Sequence, residues 1–79
     1  MKNLLDFIVK NILGKDSKYE ILESDNGSIV TLTVKTADNE GGMVIGKGGK
    51  VIKAIRNLLR IKATLEKKKI ILLINPVNN

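Results

Sequence analysis

Residues 44–56, Val44-Ile45-Gly46-Lys47-Gly48-Gly49-Lys50-Val51-Ile52-Lys53-Ala54-Ile55-Arg56, hold the chemistry of this chain. Three glycines and a lysine form one tight turn, and a basic amphipathic run follows. Glycines three apart let backbone approach a ligand with no side chain between. A helix starting at Lys50 adds unpaired N–H groups and the positive end of its dipole at the same place. Such a turn suits phosphate groups, and Lys47, Lys50, Lys53 and Arg56 enlarge the positive field around it.

Composition narrows the chemistry further. The 79 residues make one small domain, and they include no cysteine and no histidine. Disulfides and cysteine-held metals are therefore excluded, and the commonest general base is missing. Asp38 and Glu40 flank the motif without a second acid pair or a ligand cluster, so we expect no catalytic residues, no metal and no cofactor. Fourteen Lys and Arg against eight Asp and Glu give a formal net charge of +6 and a pI near 9.8. That balance fits a polyanionic partner, nucleic acid or an acidic membrane surface, and the clustering of charge at one motif separates it from a merely soluble basic protein. The start, Met1-Lys2-Asn3-Leu4, does not lead into an unbroken apolar core of the signal-peptide kind, and Ile70–Ile74 is too short to span a bilayer. The expectation is a cytoplasmic protein.

The elements that must position the turn follow from periodicity. Leu4, Leu5, Ile8, Val9, Ile12 and Leu13 recur at helical spacing, predicting a helix over about 2–13 that stops at Gly14, with Phe7 off its apolar face. Alternating, β-branched residues predict a hairpin over about 18–36. Its turn is expected at Asn26-Gly27, where both positions tolerate positive φ, and Val30, Leu32 and Val34 should face the core. Asp38 can cap a short helix over 39–45. After the turn at 46–49, a longer helix over about 50–64 should place Val51, Ile52, Ile55, Leu58 and Leu59 on one side and Lys53, Arg56 and Arg60 on another. Glu66-Lys67-Lys68-Lys69 reads as a solubilising turn, and residues 69–75 as a buried strand ended by Pro76. The fold class is α+β, in the order α-β-β-α-α-β. A helical crossover makes the last two strands parallel, so a three-stranded mixed sheet carries all helices on one face. Residues 1–76 form the domain and 77–79 a tail.

With this order, the motif resembles that of a KH domain: aliphatics, Gly-x-x-Gly, then isoleucines three and six residues on, here Ile45, Gly46, Gly49, Ile52 and Ile55. The leading helix and strand are similar to the type II arrangement. Gly42-Met43-Val44-Ile45-Gly46-Lys47 and Ala54-Ile55-Arg56 bring the whole chain close to the small stand-alone bacterial KH proteins of the KH-domain protein A family. The resemblance implies single-stranded RNA as ligand, about four unpaired nucleotides being clamped against the glycine loop. Gly46, Lys47, Gly48 and Gly49 would hold phosphates, with Lys50, Lys53 and Arg56 beside them. Ile45 and Ile52 would line an aliphatic floor, and the second strand of the hairpin a far wall. Phe7 and Tyr19 are the only aromatics and lie away from the motif, which argues against base stacking as the mechanism. Neutralising about three phosphates gives a slope of roughly −2 in log K against log salt. The resemblance further implies a post-transcriptional regulator or RNA chaperone and a role in cell shape or division. It also implies a homodimer or a heterodimer with a larger KH-containing RNA-binding protein.

Two positions depart from the pattern. Gly41 stands where a larger residue is expected and should soften the short helix, and Gly48 leaves Lys47 as the one charged side chain inside the turn.

Other readings stay open beside this one. Ile45, Ile52 and Ile55 also fit a core, and Arg56 and Arg60 a solvated helix face. Residues 41–48 approach the phosphate loop Gly-x-x-x-x-Gly-Lys-Ser/Thr, but Gly48 has no hydroxyl for magnesium, which excludes nucleotide hydrolysis by that route. The functional alternative is a KH fold serving as a protein-interaction subunit, with RNA contact secondary.

Overall fold

A computed structural model describes residues 1–37 and 40–75. The expected Asp38 cap, the ending at Pro76 and the tail lie outside the described residues. The chain runs α1 (Lys2–Leu13), β1 (Tyr19–Asp25), β2 (Ile29–Thr36), α2 (Gly41–Ile45), a 3-10 turn (Lys47–Gly49), α3 (Lys50–Leu65) and β3 (Lys69–Ile74). It is an α+β fold in the expected order. The sheet order is β1-β2-β3, antiparallel between the first two strands and parallel between the last two.

One face of the sheet carries the core. Ile21, Val34 and Ile74 share a register row, as do Glu23, Leu32 and Leu72. Their apolar members pack with Leu5 and Val9 of α1, Val44 of α2, and Ile55 and Leu59 of α3. Leu5, Leu32 and Leu59 are the largest fully buried side chains, so a contact between α1, the central strand and α3 holds the layers together. Burying a leucine contributes about 2 kcal/mol, before any penalty for the cavity its removal would leave.

The opposite face is open, which corrects the reading of residues 70–74 as a buried strand. Leu72 is buried, but Ile71 and Leu73 on the outward side are 43% and 39% exposed. An apolar run suggests two covered faces, and here every helix packs on the same one. Leu58 likewise departs from its expected apolar side and is half exposed. Phe7 is exposed, as its position off the α1 stripe predicts.

The hairpin forms with its turn one residue later than expected. Asn26 N–H donates to the Ile29 carbonyl at 3.2 Å, placing Gly27 and Ser28 at the tip. Only Gly27 has a positive φ, 93°, a backbone conformation that glycine adopts without strain. Asn26 instead uses its side chain, whose Oδ1 accepts the N–H groups of Ser28 and Ile29 at 2.9 and 2.8 Å. The amide thus organises the turn from its edge rather than occupying its centre.

At the far end of α3, Lys68 N–H donates to the Ala63 carbonyl and Lys67 N–H to that of Thr64, at 2.8 and 3.0 Å. This is a Schellman ending with Lys67, φ 59°, in the place glycine usually takes. Lys68 Nζ then donates to Asp25 Oδ2 at 2.6 Å, tying that turn to the hairpin. Among the described residues, no helix is long and apolar enough to cross a membrane.

Candidate nucleic-acid interface

The glycine turn exists because α2 and α3 are packed against one another with almost no chain between them. α2 closes at Gly46, whose N–H donates to the Gly42 carbonyl at 2.8 Å. The chain reverses through Gly46 (φ 77°, ψ 167°), Gly48 (φ 65°, ψ 17°) and Gly49 (φ 78°, ψ 15°), and α3 begins at Lys50. L-residues avoid all three conformations, the first most strongly.

The glycines are not equivalent. A Cβ on Gly46 would lie 2.4 Å from Val51 Cγ2 and 2.9 Å from Val51 N, so Gly46 is where α3 is pressed onto the end of α2. A Cβ on Gly48 meets nothing within 4 Å, and one on Gly49 meets only Ile52 Cγ2 and Lys53 Cε at ordinary distances. Gly46 therefore sets the packing, while Gly48 and Gly49 keep the outer surface of the turn bare.

Gly41 has a reason the sequence did not show. It is buried, and a Cβ there would sit 2.6 Å from Asn75 Nδ2. Asn75 follows β3 and continues its pairing with β2. Its N–H donates to the Val34 carbonyl at 2.8 Å, its Oδ1 accepts Thr36 N–H at 2.7 Å, and its Nδ2 donates to Thr36 Oγ1 at 2.7 Å. The amide thereby fixes the sheet edge against the first residue of α2. Gly41 makes room for this clamp. A lone asparagine before proline gives no sequence signal for such a contact.

Around the turn, Lys47, Gly48, Lys50 and Lys53 are exposed, and Gly46, Gly49 and Arg56 are half-buried. Ile45 is exposed and Ile52 half-buried beside the core, so both keep apolar surface outside it. Ile55 is buried and belongs to the core alone. Met43, which the sequence reading passed over, is half exposed on α2, next to buried Val44. β2 is the central strand with Val30, Leu32 and Val34 buried, and β3 is the strand that packs against both α2 and α3.

No side chain caps the start of α3, and of its first N–H groups that of Lys50 is taken by the Lys47 carbonyl. α3 also carries Lys50, Lys53, Arg56, Arg60 and Lys62 with no acidic residue among its 16 positions. Among the described residues, none of the five makes an ion pair, the three pairs being Met1–Glu23, Lys10–Asp6 and Lys68–Asp25. The arrangement can receive an anion at the turn with cations beside it that make no ion pair among the described residues. A cavity of about 500 Å³ lies elsewhere, lined by Leu13, Ser17, Ala37 and Glu40 among others, and includes none of the turn residues.

The family described as "KhpA/KhpB, KH domain" matches residues 2–74. The RNA-binding protein KhpA of Clostridium acetobutylicum is 32% identical over 71 residues, covering 90% of this chain and 95% of that protein. The RNA-binding protein KhpA of Chlamydia trachomatis is 35% identical over 70 residues, covering 89% and 90%. That of Borreliella burgdorferi is 36% identical over 58 residues, covering 71% and 68%. No solved structure matches the chain.

Proposed function

We propose that this chain, which belongs to the KhpA/KhpB family of KH domains, binds single-stranded RNA at the Gly46–Gly49 turn. The family is not one of enzymes, and its curated relatives carry the name RNA-binding protein. The observation that carries the reading is the bare glycine turn opening onto the uncapped start of an acid-free helix. The backbone N–H groups of Lys47 and Gly48 hold phosphate, those of Gly46 and Gly49 being bonded within the turn, and Lys47, Lys50, Lys53 and Arg56 neutralise it. Exposed Ile45 and half-buried Ile52 give the bases an aliphatic floor. Base recognition by so short a floor is loose, which suits a post-transcriptional regulator or RNA chaperone acting on many transcripts.

A second reading, a subunit pairing with its own copy or with a larger KH-containing RNA-binding protein, has one observation in its favour. Leu58, Ile61 and Leu65 are 51%, 63% and 81% exposed along a separate flank of α3.

Fluorescence anisotropy of a labelled, unstructured RNA tests the RNA reading with wild type and the double variant Lys47→Asp, Gly48→Asp. Asp is tolerated at the left-handed φ of Gly48 and meets open space there, so circular dichroism should show an intact fold. Salt-sensitive binding by wild type that the variant loses by tenfold or more is the expected outcome. Equal binding by both moves RNA away from the turn, and no binding by either transfers the function to the pairing role.

A further inference from the structure

A glycine clamp of about four nucleotides uses only the first turns of a helix about 24 Å long. Stepping about 100° per residue, Lys53, Arg56 and Arg60 fall within about 60° of one another around α3 and over about 10 Å along it. The apolar flank of Leu58, Ile61 and Leu65 lies about 140° away, so the basic flank is separate from it.

Arg60 has no structural work to do. It is exposed, with no hydrogen bond or ion pair among the described residues. The spacing of the flank is moreover unfavourable to the free helix. Lys50–Lys53 and Lys53–Arg56 are three apart and Arg56–Arg60 four apart, the distances at which like charges on a helix repel. Solvated helices of this length ordinarily intersperse both signs, and this one does not. Repulsion along one line, without a countercharge from the protein, is relieved by a linear polyanion lying on that line.

We propose that the α3 flank from Lys53 to Arg60 continues the phosphate track of the glycine turn, so that the protein engages a single RNA strand longer than the clamp itself. The proposal rests on RNA binding at the turn and adds the length of the ligand and a role for Arg60.

Titration of the full chain with unstructured tetra- and octanucleotide RNAs by calorimetry or NMR tests it, using wild type, Arg60→Glu and Lys15→Glu. Lys15 is an exposed residue before β1, and its reversal changes the net charge by the same amount. Counting registers alone makes an octamer roughly fivefold tighter than a tetramer for a four-nucleotide site. The track predicts a gain of about thirtyfold or more in wild type and in Lys15→Glu, falling to about fivefold in Arg60→Glu, with tetramer affinity nearly unchanged. A gain of only about fivefold in wild type, or an equal gain in all three proteins, overturns the extension and leaves the clamp standing. Equal loss from Lys15→Glu and Arg60→Glu reduces the flank to general attraction and also overturns it. Absence of binding to both oligomers removes clamp and extension together.

Discussion

Gly46, Gly48 and Gly49 stand in one turn, and only the first is locked in place by a neighbour. A methyl group at Gly46 runs into both the side chain and the backbone nitrogen of Val51, and its φ and ψ lie where only glycine is comfortable. Backbone cannot yield as a flexible side chain can, so Gly46→Ala should cost about 3 kcal/mol or more. Gly48→Ala meets open space and pays only for left-handed backbone, about 1 kcal/mol. Thermal melts should separate the two, a few degrees for Gly48→Ala against a loss of about 15 °C or outright unfolding for Gly46→Ala. Similar melts for both would mean that the approach of α3 to α2 does not depend on Gly46. The motif was legible as a sequence because glycine three apart, with isoleucines in register, has few other uses. That Gly46 packs while Gly48 merely stays bare was not legible, because the distinction comes from where Val51 sits.

Two turns set how the elements meet. The hairpin turn and the α3–β3 turn touch through Asp25 and Lys68. The Lys68 hydrogen bond, with the N–H of Gly27, holds the Asp25 carboxyl below the usual carboxylate range. The bond to Asp25 in turn raises the Lys68 ammonium above its ordinary value. A lowered acid contributes stability at pH above its unfolded value and loses it as pH falls through the folded one. The raised ammonium contributes below its unfolded value and loses that contribution as pH rises through the folded one. The melting difference between wild type and Asp25→Asn should accordingly be largest near neutrality and shrink as pH falls below the ordinary carboxylate value of about 4. A difference that persists unchanged in acid would assign the effect of Asp25 to its turn geometry instead of its charge.

Periodicity located α1, both hairpin strands and α3 to within a residue or two, since each has one buried face and a matching apolar repeat. It misread what depends on neighbours far along the chain. Asn26 moved to the edge of its turn, β3 kept an open face despite its apolar run, and Asn75 reached back to Thr36 and Gly41.

Charge is segregated over the whole molecule. β1 carries Glu20, Glu23 and Asp25 with no basic residue, and α3 carries five cations with no acid. Lys47 and the five α3 cations equal the net charge of +6, the other eight basic and eight acidic residues cancelling, which favours approach of a polyanion along the turn and α3. The open face of the sheet, with Leu22, Ile71 and Leu73, has no such field and no aromatic ring to stack a base. The most direct measurement is an amide NMR titration of the full chain with an unstructured RNA oligomer at moderate salt. The largest shifts should fall on Gly46, Lys47, Gly48, Gly49 and the first turn of α3. Shifts concentrated on Leu22, Thr33, Ile71 and Leu73, with the turn unmoved, would contradict RNA binding at the glycine turn.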